Sequence, residues 1–141
     1  SLDADDLDTL LNRRSGILGM SGHADMRELQ AAAAAGDPAS VIAFDVYVHR
    51  LRHYAGAHIA LPGGADVISF TAGVGENAAA VRAGAMATLG FAGVEIDPER
   101  NEGRGRGIRR ISTDESAVTV LVVPTNEELE IARQALGVTQ S

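Results

Sequence analysis

The chain has 141 residues, of which 45% are hydrophobic and 22% charged. These are ordinary proportions for one globular domain and exclude a wholly disordered tail or a fibre. It holds no cysteine, and its 12 basic residues are all arginine against 19 acidic ones, for a formal charge of −7; this rules out disulfides, thiolate zinc sites, Schiff bases and a Walker lysine, and has the wrong sign for a nucleic-acid binder.

Aromatic residues at 4% provide no base-stacking platform. No apolar run approaches the roughly 20 residues of a membrane span. The absence of cysteine suits a reducing cytoplasm, and neither nucleic acid nor a membrane is expected as a partner. The chain opens at Ser1 without a methionine or a signal-like segment, and the expectation is a piece of a larger protein.

Asp3–Arg14 sets Leu7, Leu10 and Leu11 on one side, the pattern of a short amphipathic helix ending at Gly16. Asp25 with Glu28 three residues later reads as an N-terminal cap for a helix over Asp25–Ala35, which Gly36 stops. Asp37-Pro38 restarts a helix, an N-cap followed by proline at the first helical position. Val41, Phe44, Val48, Leu51, Ala55 and Ile59 continue it to Pro62-Gly63-Gly64.

The period then changes. Asp66–Thr71 (DVISFT) reads as a buried strand, Ala72–Asn77 as a glycine-containing turn, and Ala78–Leu89 as a helix stopped by Gly90. Val94–Ile96 is a candidate short strand, Glu99–Arg110 a polar surface loop, and Ile108–Ser112 the start of a further strand. Ala117–Val123 (AVTVLVV) is the clearest strand of the chain. Thr125, with Glu128 as its capping-box partner, is expected to open a last helix. Strands alternating with helices, after extra helices at the start, give an α/β layered domain with too few strands for a full sheet.

Three stretches are candidates for chemistry. Gly73-Val74-Gly75-Glu76-Asn77 lies between a strand and a helix, where glycines permit close backbone approach and a helix N-terminus offers free N–H groups to phosphate or ribose. A tight turn that merely needs glycine geometry is the competing reading. Asp25-Met26-Arg27 places an acid and a base at a helix start, suited to gripping a ribose or a base, or simply to capping. Pro124–Glu128 follows a strand's C-terminal end, where ligand sites of open α/β sheets gather. There a carboxylate can hold magnesium, and Glu127 is the one that the capping box leaves unexplained.

A rival pattern overlaps the first stretch. Gly73, Gly75 and Ala78 satisfy G-x-G-x-x-A after a strand, with Glu95 and Asp97 about twenty residues on, as in an NAD-binding oxidoreductase domain. That reading requires a second strand ending near Glu95. A ligand-free oligomerisation domain built on the Pro38–Leu61 helix is a third reading. His49 and His53, four apart, read as a solvated helix face rather than a zinc pair, and Arg100, Arg104, Arg106, Arg109 and Arg110 as a solvated basic loop.

Taken together, Leu11–Gly22 (LNRRSGILGMSG), Asp25–Arg27, Phe70–Asn77 (FTAGVGEN), Val81-Arg82, Ile111-Ser112 and Val123–Leu129 (VPTNEEL) resemble, in order and spacing, the C-terminal part of the acetate kinase family. The resemblance covers nearly all of residues 1–141. It implies an actin-like phosphotransferase fold of two ribonuclease-H-like lobes, with this chain as most of the second, nucleotide-binding lobe without its opening strands. It implies adenine-nucleotide contacts (ATP or ADP) at Asp25, Met26, Arg27, Gly73, Val74, Gly75, Glu76 and Asn77, and Mg2+ tied to Glu127. A small carboxylate substrate and a homodimer through this lobe are implied as well. The chain departs from the family pattern between Gly22 and Asp25, where only His23 and Ala24 intervene. The family's phosphate-loop asparagine, catalytic aspartate, transition-state histidine and two arginines match no residue here, so no catalytic residue is expected in this chain.

Overall fold

The computed structural model describes residues 2–125, 135 and 136. The expected last helix after Thr125, with Glu128, and the expected metal ligand Glu127 lie outside the described residues.

Helix α1 (Ala4–Arg13) opens on a reciprocal cap: Asp3 accepts from the Asp6 backbone N–H at 2.8 Å and Asp6 accepts from that of Asp3 at 3.3 Å. Its Leu7, Leu10 and Leu11 stay exposed. The expected end at Gly16 is corrected. Gly16 adopts φ +64° and starts a second helix, α2 (Gly16–Ser21), closed by Gly22 at φ +80°. A left-handed glycine that reads as a stop is here the hinge between two helices.

Helices α3 (Met26–Ala34) and α4 (Pro38–Ala60) form an antiparallel hairpin, with Gly36 at φ +86° between them. The caps are Asp25 and Asp37, as the sequence implies, with Pro38 in the first turn. Asp25, however, accepts from the backbone N–H of Arg27 rather than forming a box with Glu28. Met26, Leu29 and Ala43 pack with Ala78 and Val81 into one buried cluster.

Strand β1 (Val67–Phe70) leads through Thr71 into α5 (Ala72–Asn77), then α6 (Ala79–Met86). The expected glycine turn is thus a short helix. A single-turn 3-10 helix follows at Gly90–Ala92. Residues 94–96 form no strand, only an isolated antiparallel bridge from Ile96 to Ser112. The expected loop Glu99–Arg110 begins instead with α7 (Pro98–Glu102), capped by Asp97, which accepts from the Arg100 N–H at 3.0 Å. Asp97-Pro98 carries the same start signal as Asp37-Pro38.

β2 (Arg109–Arg110) and β3 (Thr119–Val122) complete a three-stranded mixed sheet ordered β1-β3-β2. β1 runs parallel to β3, with Val67 opposite Thr119 and Phe70 opposite Val122. β2 runs antiparallel to β3. β3 is central, and its Val120 and Val122 are buried with Ile111, Met86, Leu89 and Ile59. β1 is not the fully buried strand expected. It lies at the sheet edge with Val67 exposed, and only Ile68 and Phe70 pack on the core.

The dinucleotide reading fails on this topology. No strand ends near Glu95, and Asp97 is the cap and ion-pair partner (3.3 Å) of Arg100. Among the described residues, no helix is long and apolar enough to cross a membrane.

Candidate nucleotide site

β1 and β3 are parallel, so their C-terminal ends emerge side by side, the edge at which α/β sheets bind ligands. The main chain is tied there by the Val123 N–H donating to the Phe70 carbonyl at 2.8 Å. Just beyond, Glu76 of α5 accepts from the backbone N–H of Thr125 at 2.9 Å and from its hydroxyl at 3.2 Å. Two segments 49 residues apart are thereby closed on each other, the Thr125 hydroxyl donating to Glu76.

The entry to α5 is strained. Ala72 has φ +59°, a left-handed conformation that no other non-glycine residue adopts among those described. Such a residue costs about 1–2 kcal/mol and persists only where the surroundings impose it. Gly73 and Gly75 do not supply the left-handed geometry that the tight-turn reading required. Their roles differ from one another. A Cβ on Gly75 would lie 3.2 Å from the carbonyl carbon of Phe70, so Gly75 lets α5 seat against the end of β1. A Cβ on Gly73 would meet nothing within 4 Å, leaving its backbone open to an approaching ligand. The Asn77 side-chain amide donates to the Gly73 carbonyl at 2.8 Å.

Across from α5 stands the start of α3. Arg27 folds back on Asp25 in a two-point pair, Nη2 to Oδ2 at 2.7 Å and Nε to Oδ1 at 3.1 Å, while the same carboxylate caps the helix. The Arg27 guanidinium and backbone N–H together hold the Asp25 carboxyl down at about 2. The Arg27 side chain is 86% exposed.

The two segments share one cleft of about 860 Å3. Asp25, Met26 and Arg27 line one wall, and Gly73, Val74, Glu76 and Asn77 the other; Gly75 lies behind the wall. Sequence reasoning missed the floor and rim. Arg82, Glu102, Arg104 and Arg109 line the same space, with glycines 103, 105 and 107. The signal for Arg82 was its place in the Val81-Arg82 motif; nothing local singled out α7 or the loop after it. In the arginine-rich stretch, Arg100 instead makes a two-point pair with Asp114, both bonds 2.9 Å, and Arg110 donates to Ser112 and Thr113. Those two brace the turn before β3.

Glu76 and Glu102 are the two acidic residues besides Asp25 that line the cleft, carboxylates being the hard oxygen donors that magnesium takes. Among the described residues, no group of three or more His, Asp or Glu side chains comes together to hold a metal by itself. His49 and His53 are both exposed on α4, and His53 packs edge-on against Tyr54.

The sequence and the fold have counterparts among known proteins. The model of the acetokinase family matches residues 1–133. Acetate kinase of Leifsonia xyli subsp. xyli is 58% identical over 96% of this chain, and acetate kinase of Clavibacter michiganensis subsp. michiganensis 56% identical over 98%. The chain spans about a third of the length of these relatives, 34% and 35%. The crystal structure of Porphyromonas gingivalis acetate kinase superposes with a TM-score of 0.89 at 40% identity, over 98% of this chain and 35% of that one. A propionate kinase from Francisella tularensis superposes with a TM-score of 0.83 at 34% identity, over 92% of this chain and 33% of that one.

Proposed function

The chain belongs to the acetokinase family, and from that premise we propose that it is the nucleotide-binding part of the C-terminal lobe of an acetate kinase. The observation that carries this reading is the cleft that brings Asp25–Arg27 and Gly73–Asn77 to face each other. The parent protein moves the γ-phosphoryl of ATP to acetate, giving ADP and acetyl phosphate, in both directions. Acetate is the substrate proposed, since relatives 56–58% identical to this chain are acetate kinases.

The chemistry divides the labour. A carboxylate is already nucleophilic at neutral pH, so the barrier is lowered by in-line positioning and by neutralising charge on the transferred group. This chain's share is holding the nucleotide. The open backbone at Gly73 admits the ligand, Val74 and Met26 offer apolar surface, and Asn77 and the Asp25–Arg27 pair offer polar contacts. Glu127 would hold Mg2+ with the nucleotide phosphates, which supplies positive charge beside the transferred group. The catalytic aspartate, transition-state histidine and two arginines that the resemblance implies match no residue of this chain, so the chain by itself is expected to be inactive.

We further infer a cytoplasmic homodimer in which α4 contributes to the subunit contact; Ile42, Val46 and Leu61 leave apolar surface exposed along that helix. The test of the functional reading is calorimetric titration of the complete protein with magnesium-ADP, with NAD as the control ligand. Binding of ADP but not NAD is expected. Failure to bind ADP, together with no acetyl phosphate formed from ATP and acetate, would defeat the proposal.

A further inference from the structure

Arg82 is the largest of the fully buried side chains, 2% exposed, on α6. None of the ion pairs among the described residues includes it. A cation buried without an ion pair is costly unless its donors are met by well-placed acceptors. Here they are met by oxygens of two other elements. Nη1 donates to the carbonyls of Gly75 at 2.9 Å and Glu76 at 3.0 Å. Nε donates to Oδ1 of Asn101 at 2.8 Å, and Nη2 donates to the Asn101 carbonyl. Asn101, itself buried in α7, completes the arrangement by donating from Nδ2 to the Ala79 carbonyl at 3.0 Å.

The carbonyls that Arg82 takes are the ones that α5 cannot satisfy internally, since the last four of any helix lack a partner within it. A planar guanidinium with its donors in a fixed fork can bind Gly75 and Glu76 on one side and Asn101 on the other at once. The ammonium of lysine, a single point on a flexible stem, cannot. The orientation of the peptide planes at Gly75 and Glu76 is thereby set from beneath, and those planes lead directly into Asn77 and into the carboxylate that holds Thr125.

We propose that Arg82, held by Asn101, is a positioning residue for nucleotide binding: it fixes the end of α5 so that Asn77 and the open edge at Gly73 face the cleft in one orientation. The proposal rests on the nucleotide reading above and adds a dependence of nucleotide affinity on α7.

The experiment uses the complete protein carrying this segment, with steady-state KM measured for nucleotide and for carboxylate and thermal unfolding recorded in parallel. Arg82→Lys is expected to raise the nucleotide KM roughly tenfold, the loss of one to two hydrogen bonds to a charged donor, with the carboxylate KM within about twofold of wild type. A folded Arg82→Lys protein with unchanged nucleotide KM overturns the proposal. So does an equal rise in both KM values with a large fall in Tm, which is general loosening. Should Arg82→Lys not fold, Asn101→Ala decides. It removes only the acceptor of Nε and the bond to Ala79, and is expected to raise the nucleotide KM roughly threefold; no change overturns the proposal. Wild-type protein that neither binds magnesium-ADP nor turns over nucleotide defeats the nucleotide reading and the clamp with it, whereas wild-type binding with unaffected variants defeats the clamp alone.

Discussion

The two walls of the cleft are built by different means. The Asp25–Arg27 wall is local: every hydrogen bond described for its side chains joins residues two apart, and its arginine is exposed on the first turn of α3. The Gly73–Asn77 wall is held from a distance. Its shape is set by Thr125, 49 residues on from Glu76, by Arg82, and through Arg82 by Asn101. A wall made of one capped turn can rotate its arginine toward a ligand at small cost. A wall clamped from two sides cannot, and is suited to fixing where the ligand sits.

That contrast can be broken from either side. The largest expected effect is on turnover: in the complete protein, Asn77→Ala on the rigid wall, or Glu127→Ala, lowers kcat/KM by roughly tenfold or more, the loss of one polar contact to a charged ligand. Wild-type rates in both variants would refute those assignments. Next comes the glycine pair of the same wall. Gly75→Ala forces a Cβ to within 3.2 Å of the Phe70 backbone and is expected to cost about 1 kcal/mol in denaturant unfolding, as mild overpacking does. Gly73→Ala meets open space and is expected to leave stability unchanged or raise it by about 0.5 kcal/mol, Ala being the better helix residue. Its effect should appear only in nucleotide affinity. Equal stability losses in the two variants would show that both glycines are structural.

The smallest effect belongs to the local wall. The Asp25 carboxyl is depressed from 3.8 to about 2 by Arg27. A carboxyl whose folded pKa lies below its unfolded one contributes stability that is fully present above about pH 4 and lost as pH falls through the folded value. Asp25→Asn should therefore narrow the stability difference from wild type as pH is lowered from about 5 toward 2. A constant difference across that window would show that the Asp25–Arg27 pair does not hold in solution.

Much of the local wall was legible in the sequence, because caps are local. Asp25, Asp37 and the Pro38 that follows declare helix starts through residues two or three positions away. The same signal at Asp97-Pro98 was passed over because the glycine- and arginine-rich run after it reads as loop, and α7 was missed with it. The FTAGVGEN and PTNEEL stretches marked the rigid wall as a resemblance, but not how it is held. Gly16 misled, since a left-handed glycine serves equally to end one helix or to turn into the next.

The sequence by itself determined the class of fold, the family, the two stretches that line the cleft and the absence of cysteine and lysine chemistry, because composition, capping and motif order are carried by neighbours along the chain. Only the tertiary structure decided that the two stretches share one cleft, that β1 lies at an edge, that Ala72 rather than a glycine takes the left-handed turn, and that a buried arginine without an ion pair holds the site from below. Each of those depends on contacts between different elements, such as Arg82 with Asn101 or Glu76 with Thr125, or on backbone angles imposed by packing; a chain read locally contains no term for either.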